Sequence, residues 1–405
     1  MSDVARRPWL ALQTTLAAQA LASGLLSAAP VLAPAVAPEL GVAPERVGFF
    51  VGGVYAVATL AGLSSSLFVS RFGAVRVTQA VLVSMAVGAA LAGVGQPLVL
   101  FALAAILFGL GYGTVNPAAA EILGHHAPPG APGLFFALKQ TGVPIGVGLA
   151  GLLFPMGLAV LGWRGAVWMA AGLCLLLALA LAPAVTRLQV GPGRATAAGS
   201  GGLATLRAVW RRPALRTLSL VSFAYALAQQ GFLTFIVARL YLELGLSLAW
   251  AAGLLAASQL ACIVARVSLG HLADRWVSPR ILMGVLGVCI ALNFLALGLL
   301  PAQIGLAATA VVVIACGATA MGWNGVFFAY LVRAVPRQEL VASSGGTQFF
   351  IFTGGMLGPL LFGWLVHSGG SHALGYLLLA ALTALAGAAM LLTPGGGERS
   401  GDLHG

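Results

Sequence analysis

The sequence predicts an all-α integral membrane protein whose twelve transmembrane helices form two pseudo-symmetric six-helix bundles. Composition, span length and an internal repeat carry that prediction. Of 405 residues, 60% are apolar and 7% charged, and the mean hydropathy is +1.02. A soluble domain carries roughly 25% charged residues; twenty basic, nine acidic and six His residues cannot cover a globule of this size. A soluble enzyme, a nucleic-acid binder, a disordered chain and a secreted disulfide scaffold are all excluded. The net charge of +11 is scattered in ones and twos between apolar runs, as in membrane loops, rather than gathered into a nucleic-acid patch.

A helix crossing the hydrocarbon needs about 20 apolar residues, and these runs are too long and unalternated for barrel strands. The first run, 9–36, follows Arg6-Arg7 and superficially has the start of a signal peptide. It exceeds an apolar signal region of about 7–15 residues, so it is expected to be the first transmembrane helix. Breaks at charges and Pro/Gly clusters put the next five spans at 47–69, 77–95, 98–123, 133–160 and 165–185. The only long polar stretch follows, with Gly191, Gly193 and Arg211-Arg212, and reads as a flexible linker. The domain prediction is therefore a first bundle over 1–186, a cytoplasmic linker over 187–212, and a second bundle over 213–405 with a short cytoplasmic tail. Spans in the second half fall at 215–241, 248–272, 280–299, 303–331, 343–367 and 372–393.

Positive residues are retained on the cytoplasmic side. With the N-terminus inside, the inner segments hold Arg6, Arg7, Arg71, Arg76, Arg187, Arg194, Arg207, Arg211, Arg212, Arg216, Arg275, Arg280, Arg333, Arg337 and Arg399, fifteen of the twenty basic residues. The outer ends hold only Arg46, Arg164 and Arg239. Both termini are expected to be cytoplasmic.

The halves repeat. Glu39-Leu40-Gly41 recurs as Glu243-Leu244-Gly245 and Arg71 as Arg275, both at an offset of 204; Asn116 recurs as Asn324 and Gln140 as Gln348, both at 208. Parallel six-helix repeats are the build of one transporter class. Gly270-His271-Leu272-Ala273-Asp274-Arg275, with Arg280 behind it, resembles the loop signature of the major facilitator superfamily. The first copy is degraded: Ser66 and Ser70 stand for the Gly and Asp, while Arg71, Gly73 and Arg76 remain. The fourth helix, with Gly109, Gly111, Gly113 and Pro117, also resembles the family's. The resemblance implies a conformational latch at Ser70, Arg71, Arg76, Gly270, Asp274, Arg275 and Arg280, with Asp274 facing the start of helix 5 or Arg333. A tight cytoplasmic turn is the plainer alternative for these residues.

Charges inside a membrane are costly and mark function or pairing. The coupling candidates are Glu121, Lys139 and Arg266. Lys139 is the only lysine in the chain; its amine either binds a carboxylate, or snorkels or pairs with Glu121. Arg266 either attracts an anion or serves the nearby latch. Gln140 and Gln348 sit at matching depth, and line a path or bond neighbouring helices. Thr15, Gln19, Ser23 and Ser27 form a polar stripe on helix 1. The resemblance implies that helices 1, 4, 7 and 10 line a cavity. The substrate-binding candidates are therefore Gln19, Ser23, Tyr112, Asn116, Lys139, Gln140, Tyr225, Gln229, Trp323, Asn324 and Gln348, against ordinary interhelical packing. Gly142, Gly146 and Ala150 on helix 5, and Gly354 and Gly358 on helix 11, follow small-x-x-x-small spacing, and these two helices are expected to form rocking interfaces between the halves.

Cys174, Cys262, Cys289 and Cys316 lie singly in apolar runs and imply neither disulfide nor zinc. His125-His126 lacks a carboxylate cluster, so no metal is expected, and no cofactor motif occurs. There is no phosphate-binding loop to hydrolyse ATP. The expectation is a non-enzymatic secondary transporter working by alternating access on a small organic anion such as a carboxylate, with or without proton coupling. The rivals are an efflux pump for hydrophobic compounds and a non-transporting membrane sensor. The expected partners are a small-molecule substrate and the lipid bilayer, with no nucleic acid, in a monomer of a bacterial-type inner membrane.

Overall fold

The structure is a computed structural model that describes residues 3–128, 132–188, 202–301, 303–335, 340–369 and 371–393. Among them every regular element is helical, as hydrocarbon requires, since a helix satisfies its own backbone. The first half comprises α1 (Asp3–Leu26), α2 (Ala28–Val36), α3 (Val47–Phe72), α4 (Ala74–Val94), α5 (Val99–His126), α6 (Pro132–Gln140), α7 (Gly142–Ala180) and α8 (Ala182–Leu188). A short helix, α9 (Gly202–Arg211), precedes the second half, which comprises α10 (Pro213–Ala238), α11 (Leu248–Arg275), α12 (Pro279–Leu299), α13 (Leu306–Ala334), α14 (Leu340–Gly369) and α15 (His372–Leu392).

Eleven of the described helical segments are long and apolar enough to cross a membrane; one of them contains two crossings. Its main helix α7 has 39 residues, about 58 Å if straight, against a core of about 30 Å. It reverses at Gly162, where φ is 68° and ψ 167°, a conformation open to glycine. The limbs then return on each other, so that a Cβ at Gly157 would lie 2.8 Å from the Ala166 Cβ. Twelve spans result, with ends within six residues of those predicted. The linker is not wholly flexible coil: α9 stacks Trp210 on Phe350 of α14 at 6.2 Å and 13°. Residues 189–201 lie outside the described residues.

Antiparallel alternation puts Arg71, Arg76, Arg187, Arg216, Arg275, Arg280 and Arg333 at helix ends on one face, here the basic face. Contacts across that face include Gln79 Nε2 to Ala178 O (2.8 Å) and Arg333 to Ala273 O (2.9 Å). At the opposite face each half closes with an acid clamp. Glu39, after the first span, accepts from Arg164 (2.5 Å) and Trp163 (2.9 Å) at the start of the sixth. Glu243, after the seventh, accepts from Arg239 and from His372 Nδ1 (2.6 Å) at the start of the twelfth. Glu39 and Glu243 are 204 apart and Arg164 and His372 are 208 apart, so the clamps occupy repeat-equivalent places.

Within each half, glycines let one pair of helices touch through backbone. A Cβ on Gly146 would lie 2.1 Å from Ala20 O of α1, and one on Gly354 would lie 2.2 Å from Phe223 O of α10. Gly358 meets Leu227 O in the same way. Helices 5 and 11 do lie against the other half, as expected, but these glycines serve the contacts within each half. Between the halves the close contacts are instead Gly151 with Ala252 O on α11, and Gly48 and Gly52 with Pro359 O and Leu360 on α14. The halves also meet at the opposite face through Glu45 and His367 Nδ1, 3.3 Å apart.

Two outcomes follow. Overpacking a closed helix contact costs about 1–3 kcal/mol, so Gly146→Leu and Gly354→Leu should each lower the melting temperature in detergent, whereas Gly172→Leu, beside open space, should not. Arg164 first and Trp163 second hold the Glu39 carboxyl below its ordinary range. A depressed carboxyl stabilises above its unfolded pKa, and that contribution vanishes as pH falls through the folded one. Thermal stability should therefore have a modest acid limb, screened by solvent, that Glu39→Gln flattens.

Candidate functional site

The predicted site residues converge midway between the two faces. Asn116 lies on α5 beside Pro117, and Gly113 of the same helix approaches Ala58 O of α3 so closely that a Cβ would sit 2.3 Å away. Lys139 and Gln140 end α6, about 12 Å from its start at 1.5 Å per residue. Gly142, just beyond, would place a Cβ 3.0 Å from the Gln19 Cβ. The fifth span thus lies against the first with Lys139 turned toward the polar stripe.

Lys139 is 3% exposed. Its Nζ donates to Gln19 Oε1 at 2.8 Å and to Asn116 Oδ1, and Gln19 Nε2 donates on to Ser23 Oγ at 3.2 Å. No carboxylate pairs with it among the described residues. It neither snorkels to the basic face nor reaches Glu121, whose carboxylate lies 3.7 Å from His125 and is 40% exposed. Glu121 is therefore displaced from the membrane interior by its position near the end of α5.

The second half answers with amides and an indole. Gln229 Oε1 accepts from Trp323 Nε1 (3.1 Å) and Asn324 Nδ2 (3.4 Å). Arg266 reaches across: one guanidinium nitrogen donates to Gln140 O (3.0 Å) in the first half, the other to Met321 O (3.2 Å) in the second. Its Nε is buried with no partner among the described residues, as is Gln259 Oε1.

Between these groups lies a cavity of about 80 Å³, lined by Tyr112, Asn116, Gln140, Gln229, Arg266, Trp323, Asn324 and Gln348 among the predicted residues. Gln19, Ser23 and Lys139 stand behind Asn116 rather than on the wall. Tyr225 is also behind it: its hydroxyl donates to Met283 O at 2.8 Å, and its ring packs edge-on against Trp323 at 5.9 Å. Sequence reasoning missed Tyr55, which brings the second helix to the wall, and Phe352, one turn beyond Gln348 on the eleventh. Tyr55 meets the Tyr112 ring at 5.7 Å and Phe352 at 6.1 Å. Its one signal was a polar-tipped aromatic within an otherwise apolar run. Arg266 is the only charged side chain among the described lining residues.

The residues expected to form a latch lie at the basic face, away from the cavity. Gly73 turns α3 into α4 with φ 82°; the Ser70 hydroxyl bonds Leu67 O of its own helix at 3.2 Å; Arg71 sits over Phe72, and Arg76 is exposed. In the second copy α11 ends at Arg275, Gly270 faces open space, and Arg280 donates to Thr393 O. Arg333 meets the Ala273 carbonyl next to Asp274; the Asp274 side chain lies outside the described residues. His125 and His126 bond carbonyls one turn back, and no group of three metal-ligating side chains occurs among the described residues.

Twelve helices in two pseudo-symmetric halves around a midplane polar cavity define a membrane transporter fold. The sequence model of the Major Facilitator Superfamily matches residues 15–354, and the chain belongs to that superfamily. Among solved structures, it is similar to a bacterial homolog of the human lysosomal transporter Spinster in an inward-facing, occupied conformation: TM-score 0.76, 15% identity, 96% of this chain and 97% of that one. The same homolog unoccupied gives 0.73 at 16% identity, covering 95% and 98%. The nucleoside transporter NupG gives 0.77 at 13% identity, covering 94% and 99%. Compared by sequence with curated proteins, the chain has no significant match.

Breaking one side of a buried polar pair costs more than removing it whole. Gln19→Leu, which takes an acceptor from the Lys139 ammonium, should destabilise by about 1–3 kcal/mol. The double variant Gln19→Leu/Lys139→Met, which removes that pair whole, should recover part of the loss. The pair of variants, read by thermal unfolding, separates a lysine kept for folding from one kept for another purpose.

Proposed function

We propose that the protein is a secondary transporter that moves a small organic anion, such as a monocarboxylate, by alternating access around this cavity. The observation that carries the reading is Arg266: a guanidinium on the cavity wall with no acid opposite it and an unpartnered Nε. Lys139 adds a second buried basic side chain behind Asn116. An unpaired cation in a low-dielectric site favours an anionic ligand, and Arg presents a planar fork that suits a carboxylate. The volume of about 80 Å³ suits a ligand of only a few heavy atoms.

By the positive-inside rule the basic face is cytoplasmic, in a bacterial-type inner membrane. The halves then meet at the outer face and the cavity is served from the cytoplasm. The loops around Arg71 and Asp274–Arg275 gate that side, and one chain, holding both halves, works as a monomer. Proton coupling, where present, runs through Lys139, because Glu121 lies at the surface. The aromatic wall of Tyr55, Trp323 and Phe327 also suits hydrophobic compounds, the basis of the efflux reading; an unpaired guanidinium disfavours it.

The test is counterflow in proteoliposomes with labelled carboxylates. Hydrogen bonds to charged groups contribute about 1.5–3 kcal/mol, so Arg266→Gln should lower exchange about 10- to 100-fold, and Lys139→Ala should lower it too. No exchange of any carboxylate, alongside export of lipophilic dyes, would overturn the anion reading in favour of efflux.

A further inference from the structure

The first half contains a larger void than the central cavity. A cleft of about 640 Å³ opens near the opposite face between α2, α3 and α5, beneath the connection 37–47 and against the start of the sixth span. Leu25, Leu32, Phe50, Phe101 and Trp163 represent its walls, and Arg46 is the one charged residue among the described lining. Phe49 and Leu98, also lining it, are 62% and 42% exposed, apolar surface that on a membrane protein faces hydrocarbon.

Such a cleft has room for about twenty waters at ~30 Å³ each, yet a bound water needs 2–4 polar partners, and these walls supply almost none. Left empty, the walls lose their dispersion contacts on one side. The matter at hand in a bilayer is a lipid chain. At the mouth, Arg46 immediately precedes α3, whose first amides also favour an anion. Neither neighbouring acid satisfies it: Glu45 lies against His367 and Glu39 against Arg164.

We propose that this cleft holds one acyl chain of a membrane phospholipid, with the lipid phosphate at Arg46. The site is separate from the central cavity and does not depend on the transport reading. The bound chain packs the divergent ends of α2 and α3 and supports the face where the two halves meet.

Trp163, on the wall and 6% exposed, is the reporter. The full-length protein is reconstituted in phosphatidylglycerol vesicles with ordinary or brominated acyl chains, and Trp163 emission is taken as wild type minus Trp163→Phe. The Trp163 component should lose most of its intensity in brominated vesicles. It should recover in Ala33→Phe, which fills the cleft, and partly in Arg46→Gln; should Ala33→Phe fail to fold, Ala29→Leu serves the same purpose. Trp163 emission indifferent to bromine, or quenched equally in the filled variant, overturns the proposal. So does quenching by aqueous iodide, which would make the cleft a water-filled vestibule.

Discussion

The contact on which the site depends is the backbone approach of the fifth span to the first. At Gly146 no side chain fits: a Cβ would lie 2.1 Å from Ala20 O and 2.8 Å from Gly24 N. In hydrocarbon no hydrophobic force drives helices together, so close packing of small residues does that work. The consequence appears one helical turn beyond Gly142. With α7 pressed on α1, Lys139 reaches the Gln19 amide and Asn116 without extending into the cavity. A looser contact would leave the ammonium unsatisfied in a low-dielectric interior, at a cost of several kcal/mol.

The same contact is built in the second half at Gly354 and Phe223, yet the chemistry behind it differs. The residue 208 positions after Lys139 is Thr347, whose hydroxyl returns to Ser343 O of its own helix at 3.0 Å. Gln229 and Asn324 then bond directly, whereas Gln19 and Asn116 are joined through the ammonium. The repeat therefore supplies matched amides at Gln140 and Gln348 and at Asn116 and Asn324, and then departs from symmetry by placing Lys139 in one half and Arg266 in the other. A site with two basic side chains and no carboxylate among its described residues is made by that departure.

Much of this was legible in the sequence because the bilayer imposes length. Twelve spans, the common face of Arg71, Arg76, Arg187, Arg216, Arg275, Arg280 and Arg333, and the repeat registers of Asn116 and Gln140 follow from run lengths and charge placement. The limits were those of rotation and partner choice. Spacing placed Gly146 and Gly354 on small-residue faces but could not say that those faces turn inward to α1 and α10, because the pattern describes one helix and the contact needs two. Tyr225 shares helix and repeat region with Gln229, yet rotation puts its hydroxyl on Met283 O and only the amide toward the cavity. The clamp equivalence of Arg164 and His372 was hidden because different side chains perform one task at matching positions.

Arg266 supplies the last link between packing and function. It ties Gln140 O of one half to Met321 O of the other, so this pair of bonds belongs to the arrangement in which the halves meet as they do here. A ligand shifts a conformational equilibrium only by as much as it binds one state better than the other. On the proposed reading, an anion in the cavity meets a guanidinium whose two terminal nitrogens are held by two carbonyls, fixed in direction by both halves. When the halves rock, Gln140 O moves with one and Met321 O with the other, and the fork loses an anchor. On that reading the differential affinity that alternating access requires resides in a single side chain, held by backbone atoms rather than by an acid that would compete with an anion for its charge.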